Sequence, residues 1–280
     1  MGVHFLIDSA SDILPSEAAA MGITCIPMQI TFGQETYADS VTLSHGEFYK
    51  KLATSETLPV TSQINPATYE DYFSRLTAGG EELVVITLSS QLSGTCQSAR
   101  IAAENFPGKV FVVDSLNAAI GERILLLRGL ELAKSGMSAA QIAQTLAEEA
   151  KKIRLFAIID TLEYLKKGGR ISATVAFAGE LLGIKPAIAV RDGLVAMAGK
   201  ARGAKQGQAL LRQLIEKTGG IDWTKPVAAV YSASDATLLQ FLESCADLWD
   251  GHERPTPYSL GCTIGTHIGS GACGIAFFEK

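Results

Sequence analysis

A chain of 280 residues is long enough for one large domain or two of ordinary size, and 47% apolar against 19% charged residues excludes a disordered polymer. A net charge of −5 argues against a broad nucleic-acid surface, while leaving room for a local basic pocket. The five cysteines are odd in number and widely spaced, without C-x-x-C or zinc-type spacing to the four histidines, so they read as reduced core thiols with no metal site.

The first residues lack the basic segment and apolar core of a signal peptide, and no apolar run approaches a membrane span. The expectation is a soluble, cytoplasmic protein without stable membrane insertion. Val3–Ile7 reads as a strand that ends in the polar loop Asp8-Ser9-Ala10-Ser11-Asp12, with Pro15 in the first turn of a helix. Asp8 either caps that helix or orients a neighbouring hydroxyl. Ile23–Phe32 reads as one strand, and Gly33-Gln34 as the turn of a ribbon through Glu35–Tyr37. Ser44 with Glu47 three residues on is a capping box that opens a helix through Leu52. Leu58–Gln63 is extended, since Pro59 biases its predecessor away from helix, and a helix follows over Pro66–Leu76.

Leu83–Leu88 is an unbroken apolar and β-branched run, the pattern of a strand buried on both faces in a parallel sheet. Helical spacing begins at Thr95, and the turn between holds Ser89, Ser90, Ser93, Gly94 and Thr95. Ligands of open α/β sheets bind at the carboxyl ends of strands, where a helix N-terminus offers free N–H groups. Hydroxyls and a glycine there suit a carboxylate or phosphate, and Ser93 or Thr95 equally suits a plain helix cap. Thr61 and Ser62 form a second hydroxyl pair ahead of a helix.

Val110–Val113 is a third buried strand, followed by helices near Ala118–Lys134 and Ser138–Lys152. Strand–helix alternation to this point predicts a parallel sheet with crossover helices. The texture then changes. Leu155–Ile159 is a strand, Asp160–Ile171 a short helix stopped by Gly168-Gly169, and Ala173–Leu182 a further helix. Lys185–Val190 and Leu194–Ala198 flank the hairpin turn Arg191-Asp192-Gly193. Helices over Ala204–Thr218 and Asp235–Leu248 and strands over Val227–Tyr231 and Gly274–Phe278 complete the chain. The fold class is therefore α/β with two α/β domains, 1–154 with a mainly parallel sheet and 155–280 with a mixed sheet.

Gly269–Gly274 matches G-x-G-x-x-G by letter, but too few residues follow to complete a dinucleotide fold. No P-loop and no G-x-S-x-G elbow occurs. His267 lies in a glycine-rich loop before the last strand, as a hydrogen-bonding group or a surface residue. Arg170 and Arg202 are each surface charges or, beside glycines, forks for an anion.

Seven stretches in order, Asp8-Ser9-Ala10-Ser11-Asp12, Thr61-Ser62-Gln63, Leu92-Ser93-Gly94-Thr95, Asp114-Ser115, Leu165–Ile171, Gly183-Ile184-Lys185-Pro186 and Ile264-Gly265-Thr266-His267, carry a resemblance along essentially the whole chain to the DegV family of bacterial fatty-acid-binding proteins. The resemblance implies a long-chain fatty acid in a tunnel between the two domains. It implies no further cofactor, no catalytic residue of the chain's own, and a partner, a separate ATP-binding fatty-acid kinase subunit that converts the presented carboxylate to an acyl phosphate for phospholipid synthesis. By position, Thr61 and Ser93, with Ser62, Gly94 and Thr95, would hold the carboxylate, while Arg170, Arg202 and His267 would face phosphate and partner. Cys96, Ser270 and Asn65 stand where the family usually has Tyr, Pro and Ser, and the first two bear on acyl preference. Two rival readings are a serine acyl hydrolase using Ser93 and His267 and a binder of small anionic metabolites.

Overall fold

The computed structural model describes residues 2–171 and 183–280. The helix expected over 173–182 lies outside the described residues. Among the described residues no helix is long and apolar enough to cross a membrane.

Strand β1 (Val3–Asp8) leads to helix α1 (Pro15–Met21), with Pro15 at its first position. The run expected as one strand over Ile23–Phe32 is two, β2 (Thr24–Ile26) and β3 (Gln29–Phe32), in different sheets. They divide at Pro27-Met28, where a proline without an N–H cannot continue a ladder. β4 (Glu35–Ala38) and β5 (Val60–Ser62) flank β3 antiparallel in a small three-stranded sheet. Helix α2 (His45–Thr54) opens on the expected capping box of Ser44 and Glu47. Asn65 accepts the Thr68 N–H at 2.9 Å and so caps α3 (Pro66–Leu76) as a serine would.

β6 (Glu82–Thr87), α4 (Thr95–Ala103), β7 (Val110–Asp114), α5 (Ile120–Lys134) and α6 (Ala139–Glu149) complete the first half. The sheet order is β2-β1-β6-β7, all parallel, and Leu83–Ile86 of β6 are fully buried, as the unbroken apolar run required. The loops after β1, β6 and β7 gather at one carboxyl edge of this sheet.

The second half begins with β8 (Ile153–Ile158) and α7 (Glu163–Lys167), and continues with the long hairpin β9 (Ile184–Arg191) and β10 (Leu194–Arg202) and helix α8 (Gly203–Glu216). β11 (Ala228–Tyr231), α9 (Ala236–Ser244), β12 (Thr256–Ser259), α10 (Cys262–Ile268) and β13 (Cys273–Phe278) follow. The six-stranded sheet β10-β9-β8-β13-β11-β12 is mixed, with β11–β12 its parallel pair. Its faces alternate with the pleat: Leu155 and Ala157 point toward the first half, whereas Phe156 and Ile158 pack under α8 and α9. α5 is buried between the two sheets, and one hydrophobic cluster runs from Phe5 and Ile124 to Leu155 and Phe278.

Two further features differ from the sequence reading. β12 has no counterpart in it. The segment around His267, expected as a loop, is helix α10, and its first turn is held by distant side chains. The pseudo-motif Gly269–Gly274 runs from the end of that helix into β13, the reverse of the strand-to-helix order a dinucleotide fold needs.

Candidate ligand-binding site

An apolar cavity of about 230 Å³ lies between the two sheets at the carboxyl edge of the parallel one. Leu155, Ala157, Ile188, Val190, Val195 and Val230 of the six-stranded sheet form one wall. Leu88, Leu92, Ala118 and Ala119 come from the strand ends opposite, and Ile264 and Ile268 from α10. The polar lining groups are few: Thr61, Gln63, Ser93, Arg170, Thr263 and His267.

Ser93 sits in the turn between β6 and α4. Its hydroxyl accepts the Thr95 N–H at 3.2 Å and shares a hydrogen bond with the Thr95 hydroxyl at 3.0 Å. Thr95 is fully buried, and its hydroxyl also accepts the Ile64 N–H at 3.3 Å, tying the end of β5 to the start of α4. Thr95 therefore orients Ser93 without lining the cavity. Gly94 does line it, and a Cβ there would meet the end of the Gln63 side chain, so a larger residue would push the glutamine amide from its place over this turn. Gln63 Nε2 donates to Ser98 Oγ at 3.4 Å.

Thr61 reaches the same cavity from β5 and shares a 3.0 Å hydrogen bond with His267 Nε2. The other ring nitrogen of His267 is buried with no partner among the described residues and lies against Gly168, where a Cβ would stand 2.4 Å away. Burial, and then the neighbouring Arg170 guanidinium, push the His267 imidazole down to about 4, so the ring is neutral at physiological pH. Arg170 itself is anchored through Nε to the Leu92 carbonyl at 3.3 Å and through Nη1 to the Gly168 carbonyl. The polar lining thus holds one cation, one neutral ring, one amide and three hydroxyls, of which that of Thr263 is taken by Asp39. Ser62 is exposed and outside the lining. Arg202 is also exposed and outside it, at the junction of β10 and α8, where its N–H donates to Gln206 Oε1 at 3.1 Å. Cys96 is buried in α4 and Ser270 exposed, and neither touches the cavity.

What holds His267 there is absent from the local sequence. The α10 N-terminus is received by two carboxylates of the first half: Asp12 accepts the Gly261 N–H at 2.8 Å, and Asp39 accepts the N–H groups of Cys262 at 3.2 Å and Thr263 at 3.0 Å. Asp39 also accepts the Thr263 hydroxyl at 2.6 Å and the Ser9 hydroxyl at 3.1 Å. Both aspartates lie where a helix N-terminus favours negative charge. Asp8, expected to cap α1 or to orient a hydroxyl, does not cap α1, which begins after Leu14: it caps the 3-10 turn Ser9–Ser11 instead, accepting the Ala10 N–H at 3.0 Å and, across the sheet, the Leu88 N–H at 2.9 Å.

The lowered His267 value has a measurable consequence. Between about 4 and its unfolded value of 6.5, the folded protein binds fewer protons here than the unfolded chain. Stability should fall as pH drops through this window, with no penalty above it and the full penalty below it. At about 1.4 kcal/mol per pH unit, the full amount is about 3 kcal/mol. His267→Gln should flatten the acid limb of a denaturant-midpoint series, and an unchanged slope in that variant would exclude the imidazole as its source.

The chain has relatives along its whole length. A model of the DegV family, described as an uncharacterised protein family, matches residues 3–280. A DegV domain-containing protein of Deinococcus radiodurans is 34% identical over 99% of this chain and 98% of its own length. The structure of a DegV family protein from Thermus thermophilus, described by its fatty acid binding, superposes with a TM-score of 0.89 at 28% identity, covering 100% of both chains. DegV of Bacillus subtilis, described as a fatty acid binding protein, gives 0.85 at 28% identity, again over 100% of both. Matched along nearly its whole length in sequence and in fold, the chain belongs to the DegV family.

Proposed function

We propose that this chain binds a long-chain fatty acid in the cavity between its two sheets and presents the carboxylate to a separate ATP-binding kinase subunit for acyl-phosphate formation. The observation that carries the reading is an apolar chamber with polar groups gathered at one end. Each buried CH₂ contributes about 0.8 kcal/mol, and the charged end needs donors because a bare buried carboxylate is costly. Thr61, Ser93 and Gly94 are assigned to the carboxylate, with Thr95 orienting Ser93 and Ser62 on the rim. Arg170 and His267 lie at the polar end, and the exposed Arg202 is assigned to the partner. The halves 1–154 and 155–280 act as the two walls. Structural relatives described as fatty-acid-binding, at 28% identity, support the ligand class.

A covalent hydrolase is the weaker reading, because His267 is bonded to Thr61, whereas the Ser93 hydroxyl is engaged by Thr95. Native mass spectrometry of the purified protein should show a bound species of fatty-acid mass that denaturing extraction releases. Absence of lipid, together with failure to take up palmitate or oleate, would refute the reading. The kinase step has a separate test. Arg202→Ala should keep its lipid yet lose acyl-phosphate formation with a cognate kinase subunit, and unchanged transfer would take Arg202 out of that role.

A further inference from the structure

A second recess, of about 460 Å³, opens beyond the wall of the first. It lies at the carboxyl end of β7, where Leu116 and Asn117 meet the start of β8, the β9–β10 turn and the last turn of α8. Val190 lines both spaces. Four cationic side chains, Lys151, Arg154, Arg191 and Lys217, line the recess against two acidic ones, Asp192 and Glu279. Arg154 is paired with Glu279, and Lys151 with Glu148 at 3.0 Å. Arg191 and Lys217 have no ion-pair partner among the described residues. The floor beneath them is apolar, made by Phe156, Ala189 and Leu214.

A groove in which Arg191 and Lys217 lack ion-pair partners among the described residues and outnumber the one unpaired carboxylate, Asp192, over an apolar floor has a definite complement. A guanidinium fork and an ammonium together match the several oxygens and near-double charge of a phosphomonoester better than a single carboxylate. The floor asks for an apolar body attached to that anion. The carboxyl edge of a parallel sheet is also where ligands of open α/β folds collect. We propose that this recess binds a small amphiphilic phosphomonoester, with Arg191 and Lys217 on the phosphate and Phe156, Ala189 and Leu214 under the apolar portion. The site is separate from the fatty-acid cavity and does not depend on what that cavity holds.

The test titrates hexyl phosphate into the full-length protein after loading with palmitate. Native mass spectrometry counts the palmitate first, so failure of the fatty-acid reading appears as a missing lipid peak and not as a result about the recess. Should palmitate not be retained, the same titration on the unliganded chain still decides, because the substituted residues lie outside the apolar cavity. Isothermal titration should show saturable one-to-one binding. Hexanol and the double variant Arg191→Gln/Lys217→Gln should each bind at least about tenfold more weakly, a difference of about 1.4 kcal/mol. Lys134→Gln, at the far end of α5, should bind as the wild type does. Hexyl phosphate binding no tighter than hexanol, or equal affinity in the double variant and the wild type, overturns the proposal.

Discussion

Asp39→Ala is expected to cost about 3–5 kcal/mol of folding stability, because several buried donors lose their acceptor at about 1–3 kcal/mol each and share one site. The carboxylate is 1% exposed. Its oxygens accept five donors from the described residues: the Ser9, Ser40 and Thr263 hydroxyls and the N–H groups of Cys262 and Thr263. Alanine leaves these donors without their acceptor, at about 1–3 kcal/mol for each that stays buried and unpaired. The losses are less than additive, because the groups share one site and water can enter the space left. Asp39→Asn keeps the shape but turns an amide toward N–H donors, so it should fall between alanine and wild type. Urea midpoints measure the stability. In any variant that still folds, the His267 imidazole resonance should shift, since α10 carries that ring on its last turn. A stability loss below about 0.5 kcal/mol, within the ordinary range of a surface change, would remove Asp39 as the anchor of α10.

The contrast between α10 and the other helices shows what a sequence can reveal. α2 and α3 are legible because their caps are local: Ser44 with Glu47, and Asn65 followed by Pro66. The β9–β10 hairpin is legible because Asp192 and Gly193 both take positive φ, 51° and 80°, as its turn requires. β6 is legible because a strand buried on both faces has no room for polar residues. α10 has no such local signal. It is short and bounded by glycines at both ends, and its N-terminal donors are satisfied by side chains more than 200 positions earlier. The break between β2 and β3 is hidden for a related reason, since both halves are apolar and only their pairing partners differ.

The candidate site divides in the same way. The hydroxyl-rich turn after β6 marks Ser93 and Gly94 from residue types alone, because position at a strand end and chemistry coincide there. Gln63 carries no such mark as a lining residue. Its place is fixed by its passage over Gly94, a contact between segments some thirty residues apart that no periodicity records. That Thr61 and His267 meet at 3.0 Å across 206 positions is likewise a product of tertiary structure. Their assignment to one site comes from resemblance to a family and not from spacing.

Ser93→Ala should lower fatty-acid affinity about tenfold to a hundredfold, because a hydrogen bond to a charged group contributes about 1.5–3 kcal/mol. The Gly94 and Thr95 positions keep the α4 N-terminus in place, so the loss should be partial. Thr61→Val, which keeps shape and removes only the hydroxyl, should act similarly and also free His267 Nε2 of its partner. If both hydroxyls serve one carboxylate oxygen, the double variant should fall short of the sum of the singles. The effect should belong to the charge: a methyl ester or fatty alcohol should bind wild type and both variants alike. A covalent mechanism through Ser93 has the opposite signature, abolished ester turnover with acid affinity unchanged. Titrating acid and ester analogues against wild type and Ser93→Ala separates the two, and equal acid affinity in both proteins would take Ser93 out of the carboxylate site.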